Sequence, residues 1–210
     1  MRMRRKKHGA ERLSACAEYL LGEDAAAPEE IFGNKNPVYL EIGCGKGDFI
    51  CGTAAAMPDV NFIAIERIPD VLMLAAEKVK ENGCKNVKLA ALNAALLPER
   101  IAPHSISRIY LNFSDPWPKK GHAKRRLTHK TFLDIYKQIL TPDGSLFLKT
   151  DDLSLFEFSV EELSNNGFTV RDVTYDLHAS PYADGNVMTE YERNFVSQGK
   201  KINSLRAYLR

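Results

Sequence analysis

Long apolar runs are missing from this 210-residue chain: even residues 101–113 are interrupted by His104, Arg108 and Asn112, far short of the roughly 18 residues a membrane helix needs. No membrane partner is expected. Cysteine is also scarce. Cys16, Cys44, Cys51 and Cys84 form no Cys-x-x-Cys pair, and neither they nor the five histidines fall at metal-ligand spacing. That pattern excludes a disulfide scaffold and a structural zinc site, leaving reduced thiols, no metal and a cytoplasmic setting as the expectation. A secretory signal is not expected either, because the apolar stretch behind the basic N-terminus, residues 13–21, is short and carries Glu18. No internal repeat is visible.

A net charge of +2 conceals an uneven distribution. Residues 1–12 carry +5 and residues 119–130 carry +6, which leaves the remainder of the chain at −9. An acidic body with two basic segments points to a polyanion held at particular places, since phosphate contacts supply most of nucleic-acid affinity.

Helix and strand signals alternate, which predicts an α/β domain with a mostly parallel twisted sheet. Residues 1–37 read as a basic arm, a short amphipathic helix (11–21) and a linker (22–37). The domain proper then spans residues 38–210. Its expected strands are Val38–Ile42, Asn61–Glu66, residues 87–92, 108–112 and 145–150. Between them, helices are expected at residues 48–57, 70–82 with Pro69 at the first turn, 128–140, and 154–165 with Ser154 as N-cap. Residues 168–175 and 190–196 are expected to close the sheet as an antiparallel hairpin.

Two constellations carry chemistry. The first is Glu41-Ile-Gly-Cys-Gly-Lys-Gly47, leaving the first strand, with Glu66 at the end of the second. A glycine turn between strand and helix lets a ligand approach backbone closely, and an acid about 20 residues on can bind ribose hydroxyls. The spacing is G-x-G-x-G, not the G-x-G-x-x-G of dinucleotide sites, and Glu41 would repel a pyrophosphate. It would instead complement the cationic sulfonium and ammonium of S-adenosylmethionine (SAM), which is favoured over a dinucleotide. A phosphate-binding loop is excluded, because Lys46 is followed by Gly47 where serine or threonine is needed.

The second constellation runs from Asn112 to Arg126 and leaves the fourth strand. Pro116 and Pro118 stiffen the loop so that Asp115 and Trp117 are held beside the cofactor, while the lysines and arginines that follow can grip phosphates.

With these residues in view, the sequence resembles the bacterial single-subunit tRNA (guanine-N7-)-methyltransferase family over nearly its whole length. The likeness rests on residues 41–49, on Glu66-Arg67, on residues 112–127 with their F-S-D-P-W-P-K-K and H-x-K-R-R-L blocks, on Lys149-Thr-Asp-Asp152 and on Thr189-Glu-Tyr-Glu192. It implies a Rossmann-like SAM-dependent methyltransferase fold and methylation of a tRNA variable-loop guanine at N7, with no obligate protein subunit. It further implies that Glu41, Gly43, Gly45, Gly47, Glu66, Asn93 and Asp115 bind SAM. By the same likeness, Lys119, Asp151, Thr189, Glu190, Tyr191 and Glu192 contact the substrate, and Gly121, His122, Ala123, Lys124, Arg125 and Arg126 contact RNA.

The chemistry also follows from the groups themselves. Guanine N7 carries a free lone pair, so its attack on a sulfonium methyl needs no prior proton removal, only in-line alignment at near-attack distance. Carboxylates then serve otherwise: Asp115 or Asp151 can accept from the N1–H and amine edge of guanine, and a carboxylate stabilises the positive charge left on the purine. Asp115 is the expected catalytic-site residue. Two other readings are open. Ser114-Asp-Pro-Trp117 resembles the loop of exocyclic-amine methyltransferases with one proline replaced, and a non-catalytic RNA-binding module with a degenerate nucleoside pocket would share the basic segments.

Overall fold

A computed structural model describes residues 9–210. The basic run at residues 2–7, expected to meet phosphates, lies outside the described residues. In chain order the elements are α1 (Gly9–Ser14), α2 (Pro28–Phe32), β1 (Val38–Ile42), α3 (Asp48–Ala56), β2 (Asn61–Glu66), α4 (Pro69–Glu81), β3 (Val87–Ala91) and α5 (Leu97–Arg100). They continue with β4 (Ile106–Asn112), α6 (Lys130–Ile139), β5 (Leu140–Thr150), α7 (Leu153–Asn165), β6 (Phe168–Thr174), α8 (Glu190–Ser197) and β7 (Asn203–Leu209).

Seven strands form one sheet in the order β3-β2-β1-β4-β5-β7-β6. The first five are mutually parallel, and β7 runs antiparallel to both β5 and β6. Strands buried on both faces must be apolar nearly throughout, as Asn61–Glu66 is. On one face Leu40, Ile109, Leu111, Leu146 and Leu148 pack against Leu133 and Tyr136 of α6 and Phe156 and Leu163 of α7. On the other, Phe62, Ala64 and Leu89 meet Phe49 and Ile50 of α3 and Leu72, Ala76 and Val79 of α4. Strand order reverses between β1 and β4, which opens the crevice where ligands of such sheets bind.

Several elements differ from the sequence expectation. Residues 190–196 are helical, not the closing strand. Thr189 Oγ1 accepts from the Glu192 N–H (2.9 Å) and Glu192 Oε2 accepts from the Thr189 N–H (3.4 Å), a reciprocal cap that starts α8. The antiparallel closing pair exists, but its second strand is Asn203–Leu209. Asp152, not Ser154, caps α7, accepting from the Leu155 N–H at 2.7 Å. The first helix ends at Ser14, and the segment read as a linker holds α2, whose Ile31 and Phe32 pack on the core. Leu21, at the end of the expected 11–21 helix, donates to the Leu89 carbonyl (2.8 Å), tying the chain there to β3. The Pro142-Asp143-Gly144 turn is absorbed into β5 as an irregularity: Leu140 pairs with Ile106, and Ser145 already pairs with Arg108.

Candidate active site

The carboxyl ends of the parallel strands bring most of the expected residues to one edge. Glu41 is the penultimate residue of β1, Glu66 ends β2, Asn93 follows β3, Asp115 follows β4 and Asp151 follows β5. Gly43, Gly45 and Gly47 all have left-handed φ (83°, 55° and 85°), which an L side chain rarely adopts. A Cβ on Gly47 would also press on Ala75 of α4 at 3.1 Å, whereas Gly43 and Gly45 face open space. The turn therefore leaves room above its backbone for a ligand. Glu66 ties that turn down, accepting from the Gly45 N–H (3.3 Å) and the Ile68 N–H (3.0 Å), with lone pairs left on both oxygens. The Asn93 side-chain oxygen accepts from the Ala95 N–H (3.0 Å), which fixes the residue while its amide N–H groups stay exposed.

Beneath the turn lies a buried polar network. Glu41 is 2% exposed; its Oε1 accepts from Asn112 Nδ2 at 3.0 Å, while Oε2 is buried without a partner. Burial pushes the Glu41 carboxyl up to about 7, against the opposing pull of the Asn112 hydrogen bond and the Lys149 charge. Lys149, opposite Asn112 in the β4–β5 register, donates to Glu192 Oε2 (2.6 Å), Asn186 Oδ1 (3.0 Å) and the Val187 carbonyl (2.9 Å). Burial lowers the Lys149 pKa, and the Glu192 charge works against that. Glu192 is fully buried and also accepts from Asn186 Nδ2 (2.7 Å) and faces His178 Nε2 (3.0 Å).

Two residues expected at the substrate, Glu192 and Thr189, are buried, with their side-chain oxygens engaged by the chain itself. They fasten residues 186–192 across the edge of the sheet. The same α8 reaches the glycine turn through Lys46–Glu190 (2.8 Å) and Arg193–Asp48 (2.8 Å), so Glu190 is paired and Tyr191, at 62% exposure, is the outward residue. Asp151 is half-buried and paired with Lys200 at 3.2 Å.

The loop after β4 carries the exposed Asp115 between two left-handed residues, Phe113 (φ 53°) and Trp117 (φ 43°). Behind it, Lys120–Arg125 forms a 3-10 turn capped by Lys119; Lys119, Lys120, Gly121, Lys124 and Arg125 are exposed and His122 and Ala123 half-buried. Arg125 lies over the Trp117 ring (4.8 Å), and His122 meets that ring edge-on (5.7 Å). Arg126, expected among the RNA contacts, instead turns inward at 8% exposure and donates to loop carbonyls.

Sequence reasoning assigns no role to Asn112, Lys149 or Asn186, although they build the floor of the site. A signal for Lys149 does exist: a charged residue on the otherwise apolar strand Leu146-Phe-Leu-Lys-Thr150 must find a buried partner.

Residues 35–205 match a family described as "Putative methyltransferase". A tRNA (guanine-N(7)-)-methyltransferase of Brevibacillus brevis is 50% identical over 179 residues, covering 85% of this chain and 84% of its own. One of the same name from Streptococcus thermophilus is 46% identical over 210 residues, covering 99% and 98%. Among solved structures, an antibiotic-related methyltransferase (21% identity, TM-score 0.64, covering 85% and 90%) and the 16S rRNA methyltransferase KamB (12%, 0.66, 91% and 98%) share the fold.

Proposed function

The chain belongs to the tRNA (guanine-N(7)-)-methyltransferase family, and from that membership we propose that it transfers a methyl group from SAM to N7 of the variable-loop guanine of tRNA. The observation that carries the reading is Glu41 Oε2, a buried acceptor with no partner, set under a glycine turn with open space above it. An orphaned buried acceptor costs about 1–3 kcal/mol, which a bound cation such as the SAM ammonium offsets. Glu66 and Asn93 would hold the nucleoside end. When bound, SAM supplies an electrophilic methyl on sulfur.

The chain's own residues then orient and stabilise. Asp115, exposed at the loop tip, accepts from the guanine N1–H and amine edge and offsets the positive charge that alkylation leaves on the purine. Asp151 and the outward Tyr191 border the substrate, with Glu190 holding α8 to the glycine turn. Lys119, Gly121, His122, Ala123, Lys124 and Arg125 offer the RNA face. The test is to incubate the protein with labelled SAM and unmodified tRNA and identify the labelled nucleoside after digestion. N7-methylguanosine is expected; a methylated exocyclic amine, or SAM binding without transfer, rejects the reading.

Two measurements probe its parts. Above about 7 Glu41 is charged and below it neutral, so a cationic partner binds better as pH rises through about 7. SAM affinity should show that rise by calorimetry, and Glu41→Gln should abolish it. The unliganded protein should behave oppositely: the raised folded-state pKa favours the protonated form, so stability falls as pH rises from 4.5 towards about 7. An unchanged pH profile in Glu41→Gln would release Glu41 from the cofactor role. For RNA, Lys119, Lys120 and Lys124 are exposed and form no ion pair among the described residues. Changing all three to Gln should flatten the dependence of log affinity on log salt by roughly 0.7–0.9 for each phosphate that is no longer neutralised. If the slope stays put, the RNA lies on another surface.

A further inference from the structure

We propose that Arg126 is a positioning residue that sets the conformation of the loop carrying Asp115, and that it does not contact RNA. The proposal rests on the assignment of Asp115 to the reaction. Arg126 is the one member of the Lys119–Arg126 cationic cluster that is buried. Its Nε donates to the Pro116 carbonyl at 3.0 Å and its Nη2 to the Trp117 carbonyl at 3.1 Å. The guanidinium plane is covered by the Phe158 ring of α7 at 4.3 Å. At the backbone, Arg126 donates to the Ala123 carbonyl (3.0 Å) and accepts from the His129 N–H (3.0 Å).

Two successive carbonyls aimed at one guanidinium require a sharp local turn, and the chain makes it at Trp117, whose φ of 43° is disfavoured for any residue bearing a Cβ. The residue before a proline is normally extended, so Trp117 ahead of Pro118 departs twice from local preference. Something must hold it there. A planar fork with charge-assisted N–H groups can satisfy both carbonyls at once; a lysine ammonium, a compact charge on a flexible stem, lacks that fork. Asp115 directly precedes the first clamped carbonyl. Its direction, and that of the indole lying between Arg125 and His122, therefore follow from the clamp.

Arg126→Lys separates positioning from phosphate contact because it keeps the charge and loses the fork. Trp117 is the only tryptophan in the chain, so its emission reports the loop without reference to methyl transfer. In Arg126→Lys the emission should shift to the red and become more accessible to acrylamide. kcat should fall on the order of 10²-fold, the scale of a misplaced catalytic group. The affinity for tRNA, its salt slope and the affinity for SAM should stay at parent values. Phe158→Leu, which leaves the fork but removes the ring over it, should move emission and kcat the same way by less and keeps the test open if Arg126→Lys folds poorly. Parent emission together with parent kcat in both variants overturns the proposal. So does weaker tRNA binding with a shallower salt slope and unchanged kcat in Arg126→Gln, which removes the charge as well: that is the signature of a phosphate contact. If the parent itself transfers no methyl group, the functional reading fails while the emission shift still judges the clamp.

Discussion

Alanine in place of Glu192 is expected to lower the unfolding free energy by about 3–5 kcal/mol, because the Lys149 ammonium would remain buried without its counter-charge. The pair is close (2.6 Å) and shielded, with side-chain exposures of 8% and 0%. The substitution also removes the acceptor for Asn186 and the return half of the α8 cap. Glu192→Gln keeps the shape and some hydrogen bonds, so it should cost less. Denaturant titration reads this directly: the midpoint should fall with the slope unchanged. A loss below about 1 kcal/mol would be the value of an exposed pair and would contradict the buried network. SAM affinity should weaken as well, since Lys149 helps fix the floor on which Glu41 stands.

Asp115→Ala is expected to have the largest effect on the reaction, reducing kcat by about 10²–10³, the scale of removing one preorganised electrostatic group. The side chain is exposed and pairs with no cation among the described residues, so folding stability should barely change. Asp115→Asn should recover part of the loss if hydrogen bonding to guanine matters, and none if only the charge does. Affinity for tRNA should be nearly that of the parent, since the lysines around residues 119–124 supply the phosphate contacts. Steady-state rates at saturating SAM, with tRNA binding measured separately, decide this; parent kcat in Asp115→Ala would remove the residue from the reaction.

Much of the fold is legible in the chain because local and global signals agree there. The apolar runs at Val38–Ile42 and Asn61–Glu66, the glycine turn and Pro69 at a helix start each have one physical reading. The failures occur where two readings compete. Residues 190–196 carry Tyr191, Phe195 and Val196, side chains that favour strands, yet Thr189 and Glu192 also make a capping pair, and tertiary contacts to Lys149 settle the matter. The same residues show why the site is only partly readable. A family likeness marks Glu192 as belonging to the site but carries no information about which way its carboxylate points. Nor can charge alone divide Arg126 from Arg125. The difference is burial against Phe158, over thirty residues away in sequence. Asn112 escapes a sequence reading because its importance depends on meeting Glu41 across neighbouring strands.

The central claim, that the acceptor is guanine N7 in the tRNA variable loop, is tested most directly by replacing that one atom. A tRNA carrying 7-deazaguanine at the variable-loop position keeps the Watson–Crick edge for Asp115 and the phosphates for the lysines but has a C–H where the lone pair would be. Single-turnover methyl transfer from labelled SAM should vanish with this tRNA, while its affinity for the protein stays at that of the unmodified guanine form. Transfer of label to the 7-deaza tRNA at a comparable rate would show that another atom or another site accepts the methyl group, and would contradict the assignment of N7.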